Sequence, residues 1–303
     1  MKLGILTAPF EDAPLADVAA WAGGAGFEAL EVACWPAAGA DRRRYAGTSH
    51  IDVADMTAAR GSEITGMLAD HGLTISGLGY YPNPLHADAA TAEGAVAHLR
   101  DVITAAGTMG VGVVNTFLGG DRTTHLDDNW ARARAVFDPV VAHARDAGVL
   151  LCFENCPMIF TRDEWPGGHN IAYSPAIWRR ILERWDGVGM NFDPSHLVWQ
   201  FIDQTRFIVE FGERFGHVHA KDVMIDRDGL YEHGVMSVGV GWQIPRLCGL
   251  GEVDWPDFFS GLYRAGYDGP VVIEHEDRGF EGTDAAVKRG FTLARDVLRP
   301  YIK

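Results

Sequence analysis

What most restricts this chain is one rhythm running its whole length: a short β-branched run, a loop, then an amphipathic stretch. The strand-like runs are Leu3–Thr7, Ala29–Ala33, Thr74–Leu78, Val111–Phe117, Val149–Glu154, Val188–Asp193, Gly216–Ala220 and Val271–Glu274. Between them lie helix-like segments at Leu15–Ala25, Val53–His71, Ala89–Met109, Asp128–Ala147, Pro175–Trp185, Phe201–Phe211, Pro256–Ala265 and Asp284–Leu298. Strands that alternate with helices pair in parallel, because a parallel neighbour can be reached only through a crossover. Eight such units close a sheet on itself. The expected fold is therefore α/β, a (β/α)8 TIM barrel, with residues 1–303 forming a single domain. An open doubly wound sheet would want a glycine-rich phosphate loop after an early strand, and no G-x-G-x-x-G follows one here.

Local signals agree with this division. Ser174-Pro175 reads as an N-cap followed by Pro at the first helical position, and Gly26, Gly72, Gly148 and Gly266 stand where helices should stop. Two of the βα loops are long, Asn155–Tyr173 after the fifth strand and Lys221–Asp254 after the seventh. Loops at that face shape substrate sites.

The bulk charge narrows the partners. With 26 Lys and Arg against 41 Asp and Glu, the formal charge is −15. Such a surface repels phosphate backbones and anionic headgroups, so neither nucleic acid nor a membrane is expected as a partner. No apolar run approaches the length of a bilayer span, and Met1–Pro9 reads as a strand, not a signal peptide. The four cysteines (Cys34, Cys152, Cys156, Cys248) form no Cys-x-x-Cys pair, which suits reduced thiols and a cytoplasmic protein. Cys152 with Cys156 as a redox pair is the minor alternative.

The chemistry gathers at the ends of the last four strands. The fifth ends in Glu154, the sixth in Asp193, the seventh in His219 and the eighth in Glu274. Residues two apart in a strand share a face. Leu151, Phe153, Met190, Phe192, Val271 and Ile273 should then face the helices, and the four polar residues should converge inside the barrel's C-terminal mouth. An isolated acid at a strand end usually caps a loop. Three carboxylates brought together repel one another unless a cation sits between them. Three oxygen donors and one imidazole suit Mn²⁺ best, with Mg²⁺ or Co²⁺ as alternatives. Such an ion leaves positions for two substrate oxygens, polarises a carbonyl and acidifies the adjacent C–H. Glu154 and Glu274 come from separated strands and can flank a substrate as an acid/base pair.

These same segments resemble a known family. Asn191-Phe192-Asp193-Pro194-Ser195-His196 is similar to the Asp-x-x-His strand end of the xylose-isomerase-like barrels. His217-Val218-His219-Ala220-Lys221-Asp222 resembles their His-x-Lys-Asp segment, and Gly249-Leu250-Gly251-Glu252-Val253-Asp254 their Gly-x-Gly-x-[VI]-[DN] loop. The resemblance runs over essentially the whole chain and is strongest from Val149 onward. The family includes ketose 3-epimerases, hydroxypyruvate isomerases, inosose dehydratases, C-glycoside deglycosidases and type IV endonucleases. It implies Glu154, Asp193, His219 and Glu274 as ligands of one divalent metal, with Glu154 and Glu274 doubling as catalytic acid/base groups. It also implies that His196 contacts substrate or supports the ligands. The implied activity is that of a sugar isomerase or epimerase acting through an enediolate, with a lyase as the alternative. The lyase would be a dehydratase, or a deglycosidase eliminating an aglycone from a 3-oxo-glycoside.

Departures sharpen this expectation. The endonucleases need histidines at the ends of the third and fourth strands, where this chain has Leu78-Gly79-Tyr80 and Asn115-Thr116-Phe117. The familiar epimerases follow their strand-five Glu with an Arg and a second Glu, whereas here the stretch is Asn155-Cys156-Pro157-Met158-Ile159-Phe160-Thr161-Arg162. That leaves room for the lyase. Candidate substrate-binding residues are Lys221, Arg246, Tyr80, Trp35 and Asn115, with Tyr81 beside Tyr80. For Lys221 a salt bridge to Asp222 or another loop acid is the competing reading. His217 should lie one layer below His219, beside Asn191. The expected partner is a small sugar-like substrate, and either a homo-oligomer or a small partner subunit would be compatible with the family.

Overall fold

The computed structural model describes residues 1–36, 47–158, 168–235 and 241–303. Eight parallel strands close into a barrel: β1 (Lys2–Leu6), β2 (Ala29–Ala33), β3 (Thr74–Gly79), β4 (Val113–Thr116), β5 (Leu150–Glu154), β6 (Val188–Phe192), β7 (Phe215–Ala220) and β10 (Pro270–Ile273). Around it run α1 (Leu15–Gly24), α2 (Ala58–Ala69), α3 (Ala89–Met109), α4 (Leu126–Asp146), α5 (Pro175–Arg184), α6 (Ser195–Val198), α7 (Gln204–Phe211), α8 (Arg227–His233), α9 (Trp255–Arg264) and α10 (Asp284–Leu298). The pairing of β1 with β10 joins the ends of the sheet, so every barrel strand has two neighbours and no edge is left open.

The strands alternate as their sequences demand. Phe153 on β5 packs edge-on against Phe137 of α4 at 5.0 Å, and Phe192 on β6 stacks on Phe207 of α7 at 5.4 Å. These rings form the layer between barrel and helices. The opposite faces of the same strands point inward. At the level of Cys152 the interior is tight, and Gly189 and Gly216 supply the clearance. A Cβ on Gly216 would stand 2.5 Å from Leu150 Cδ2 and 2.6 Å from Cys152 Sγ. All four cysteines are free in the structure.

Two helix starts differ markedly from the sequence reading. The second helix begins at Ala58, not Val53, because the Thr57 side chain caps it by accepting from Arg60 N, and Asp55 just before has φ of 51°. The segment expected from Phe201 starts at Gln204 behind the Asp203 cap; Phe201 itself has φ of 57°, which no helix accepts. Ser174 stands at the N-cap of α5 without a side-chain bond, and Pro175 holds the first turn.

The loop after β7 is the larger difference. It contains an antiparallel ribbon, β8 (Asp222–Ile225) with β9 (Gln243–Arg246), and α8. Buried Asp222 organises it: its carboxylate accepts from the backbone N–H groups of Val223, Gly249 and Val253 and from Trp255 Nε1, all at 2.9–3.0 Å. A Cβ on Gly251 would meet Asp222 Oδ1 at 2.3 Å, which is why that turn needs glycine. The Gly249–Asp254 loop thereby wraps the carboxylate that follows Lys221.

Among the described residues no helix is long and apolar enough to cross a membrane. A steric prediction follows from the barrel interior. Gly216→Ala should lower stability by about 1–3 kcal/mol, the usual scale of overpacking, and thermal unfolding of the purified variant measures it. An unchanged midpoint would mean that Leu150 and Cys152 are free to move aside.

Candidate functional site

Four side chains of separate strand ends meet at the C-terminal mouth. Glu154 closes β5, Asp193 follows β6, His219 lies near the end of β7 and Glu274 follows β10. His219 Nδ1 is 3.1 Å from Glu274 Oε2 and 3.8 Å from Glu154 Oε2. Ligand-type atoms of Glu154, His219 and Glu274 all fall within 4.8 Å of one another. Asp193, His219 and Glu154 are buried, and Glu274 is slightly exposed at 14% of its side chain, so the group opens to solvent on one side only.

Two further cationic groups enter this cluster. Lys221 extends from the end of β7, and its Nζ lies 3.0 Å from Asp193, 2.9 Å from Glu274 and 3.2 Å from Glu276. Of the loop acids, Asp222 is occupied by the ribbon, while Glu276 does pair with the lysine. His196, on the short α6 that starts two residues past Asp193, places Nε2 3.1 Å from Asp193 Oδ2, 3.4 Å from Glu154 Oε1 and 3.3 Å from Lys221 Nζ. The chain position of α6 explains this: Asp193 Oδ1 accepts from Ser195 N and bends the backbone straight into that turn.

The electrostatics follow from crowding. Burial, then the neighbouring Glu274 charge, pushes the Glu154 carboxyl up to about 7. Burial also opposes ionisation of Glu274 and Asp193. Lys221 with His219 holds Glu274 below the usual carboxylate range, and Lys221 with His196 does the same for Asp193. Lys221 stays charged despite burial because Asp193, Glu274 and Glu276 surround it. Three carboxylates thus share one lysine and two imidazoles, and Glu154, which the lysine does not pair with, holds its proton most tightly. That surplus of oxygen donors, with an imidazole beside it, fits a divalent cation.

The other sequence candidates scatter. Arg246 lies on β9, its Nε paired at 3.0 Å with Asp277. Tyr80 turns outward, with its ring 4.7 Å from His98 of α3 and 5.6 Å from Trp35. Tyr81 takes the inward position, 6.0 Å from the His219 ring and 6.0 Å from Trp35, which therefore flanks the centre at one remove. Asn115 is fully buried on β4 with neither amide atom hydrogen-bonded in the structure, leaving it two polar groups toward the barrel interior. Of the stretch after Glu154, Ile159–Arg162 lie outside the described residues.

Sequence reasoning missed Glu31. It sits on β2, fully buried, with Oε2 2.6 Å from His219 Nε2, and accepts from the Tyr81 hydroxyl through its other oxygen. The available signal was one acid in a five-residue strand, Ala29–Ala33, that is otherwise apolar and buried throughout.

A family model described as xylose isomerase-like TIM barrel matches residues 19–297. Among curated proteins, the uncharacterized protein YfiH of Bacillus subtilis (strain 168) is 38% identical over 98 residues, 30% of this chain and 31% of that one. An inosose dehydratase of Lacticaseibacillus casei is 23% identical over 168 residues, 54% of this chain and 53% of that one. The matches thus span between about a third and about half of those relatives' lengths. Among solved structures, D-psicose 3-epimerase from Clostridium cellulolyticum H10, in complex with D-tagatose, superposes with a TM-score of 0.67 at 18% identity over 100% of both chains. At that identity the likeness is one of fold.

The protonated state of Glu154 sets the sign of a pH effect. A ligand carboxylate must lose its proton, so Mn²⁺ should bind more weakly at about pH 6 than at about pH 8. Glu154→Gln should show weaker binding overall and a shallower slope. Calorimetric titrations at the two pH values check this, and a pH-independent affinity in the parent protein would contradict it.

Proposed function

The chain belongs to the family of xylose isomerase-like TIM barrels, and on that premise we propose that it is a divalent-metal-dependent enzyme that abstracts the α-proton of a keto-sugar or related polyol derivative. The observation that carries this reading is the gathering of Glu154, His219 and Glu274 within 4.8 Å at the barrel mouth, with Asp193 joined to them through Lys221 and His196. These four would hold the ion, with Mn²⁺ first and Mg²⁺ or Co²⁺ as alternatives. When bound, it would polarise the substrate carbonyl and lower the pKa of the neighbouring C–H.

The remaining work falls to side chains. Glu274, kept ionised by Lys221 at 2.9 Å, is the base suited to take the α-proton. Glu154, from a separate strand end, would flank the substrate as the partner that returns one. Lys221 steadies negative charge as it grows on the substrate oxygens, and Tyr81 with Trp35 walls the side facing β2 and β3. Return of a proton to the enediolate makes the protein an isomerase or epimerase, the outcome we favour; a psicose epimerase shares the fold.

A second reading is supported by His196. Its Nε2 stands beside both Glu154 and Asp193, where it can protonate a departing β-substituent, and an inosose dehydratase is among the relatives. In that case the enediolate expels water or an aglycone and the enzyme is a lyase.

Incubating the metal-loaded protein in D2O with ketoses, inososes and 3-oxo-glucosides separates the outcomes. Deuterium entering a carbon-bound position without loss of a group supports isomerisation, whereas released water or aglycone supports the lyase. No metal-dependent change in any of the three would remove this substrate class. Glu154→Gln and Glu274→Gln should each lower turnover at least about 100-fold. Near-parent activity in either variant would take that residue out of the mechanism.

A further inference from the structure

Glu31 belongs to a hydrogen-bonded chain that crosses the barrel beneath the four candidate ligands, and the direction of each bond in it can be followed. The Ser76 hydroxyl lies 3.1 Å from His217 Nε2, and His217 Nδ1 lies 2.9 Å from Asn191 Oδ1. The Asn191 oxygen can only accept, so His217 carries its hydrogen on Nδ1 and takes the serine proton on Nε2. Asn191 Nδ2 donates to the Tyr81 oxygen at 3.0 Å, and the Tyr81 hydroxyl donates in turn to Glu31. The second Glu31 oxygen lies 2.6 Å from His219 Nε2. A carboxylate has no hydrogen to give, so that nitrogen carries one. Asn191 Nδ2 is also 3.2 Å from the same nitrogen, but an Nε2–H committed to Glu31 offers it no lone pair. The Nε2 hydrogen of His219 is thereby committed to Glu31, and Nδ1 is the ring nitrogen that faces Glu274 at 3.1 Å and Glu154 at 3.8 Å, with Asn191 Nδ2 at 3.4 Å; it is the nitrogen that would give up its hydrogen to a cation.

The structure makes specific room for this acid. A Cβ on Gly79 of β3 would sit 2.6 Å from Glu31 Oε1, so the neighbouring strand carries glycine where the carboxylate needs clearance. Glu31, His217 and His219 are all fully buried, and each of the other polar groups in the chain has a protein partner.

We propose that Glu31 is a positioning residue for the cation: by taking the Nε2 hydrogen of His219 it fixes that ring's tautomer and turns Nδ1 toward Glu154 and Glu274. The role rests on the metal reading above. A carboxylate behind a ligating imidazole fixes ring orientation and strengthens it as a donor. Glu31→Gln keeps the size of the side chain but puts an amide N–H toward either Tyr81 or His219, each of which is already donating.

Calorimetric titration with Mn²⁺ of the parent, Glu31→Gln, His219→Ala and the double variant tests this. Glu31→Gln should weaken binding about 10–100-fold in the parent background, and should have little further effect once His219 is alanine. A merely structural role would weaken both backgrounds alike, and that result overturns the proposal, as would parent-like affinity in Glu31→Gln. Should Glu31→Gln fail to fold, Tyr81→Phe, which removes the other donor to Glu31, takes its place in the cycle, with a weakening expected only where His219 is present. Two ions per parent chain, one of them lost in Glu31→Gln, would instead make Glu31, His217 and His219 a metal site of their own. A parent protein that binds no Mn²⁺ contradicts the metal reading itself and the positioning role with it. One ion bound equally well by parent and Glu31→Gln contradicts the positioning role alone.

Discussion

Carboxylates forced together out of water repel one another, and the structure around the barrel mouth is organised by how that repulsion is relieved. Glu154 and Glu274 are brought within reach of one another from two different strand ends, and Asp193 from a third is linked to them through Lys221 and His196. Lys221 answers two of them with one ammonium group, and His219 stands between Glu31 on one side and Glu274 on the other. Charge of one sign still exceeds the other, and Glu154 answers by holding a proton near neutral pH. A site balanced in this way is prepared for a divalent cation, since one ion can replace that proton and satisfy several oxygens together.

The rest of the barrel serves this arrangement in layers. The floor is narrow because Leu150 and Cys152 fill it, and glycines at 189 and 216 leave them space. Above it the polar chain from Ser76 to Glu31 crosses the interior through His217, Asn191 and Tyr81. Burial holds His217 neutral, pushing it down to about 4 despite the nearby Glu31. The uncharged amide and imidazole rigidify the layer without adding another charge to the mouth above. Outside the barrel, the β8–β9 ribbon is tied to Asp222, the residue immediately after Lys221. Anchoring the ribbon there also anchors the lysine that the carboxylates depend on.

Much of this was legible in the sequence. Period-two alternation separated Phe153 and Phe192, which pack on helices, from Glu154 and Asp193, which do not. Strand ends were read to within two residues because β-branched runs stop at polar positions there. Glu31 escaped because it lies inside a strand rather than at its end, where an acid draws no special notice; only its all-buried neighbours would have marked it. Tyr80 and Tyr81 are adjacent and chemically alike, so alternation permits either one inward, and contact with His98 decides for Tyr80 outward. The ribbon has no signature in the sequence because Asp222 holds it through backbone groups distant along the chain, which no local pattern encodes.

Anomalous diffraction from crystals of the protein grown with Mn²⁺ tests the central claim most directly. The account predicts a single strong peak among the carboxylate oxygens of Glu154, Asp193 and Glu274, bordered by His219 Nδ1. A peak beside Glu31 and His217, or none at the barrel mouth, would contradict it.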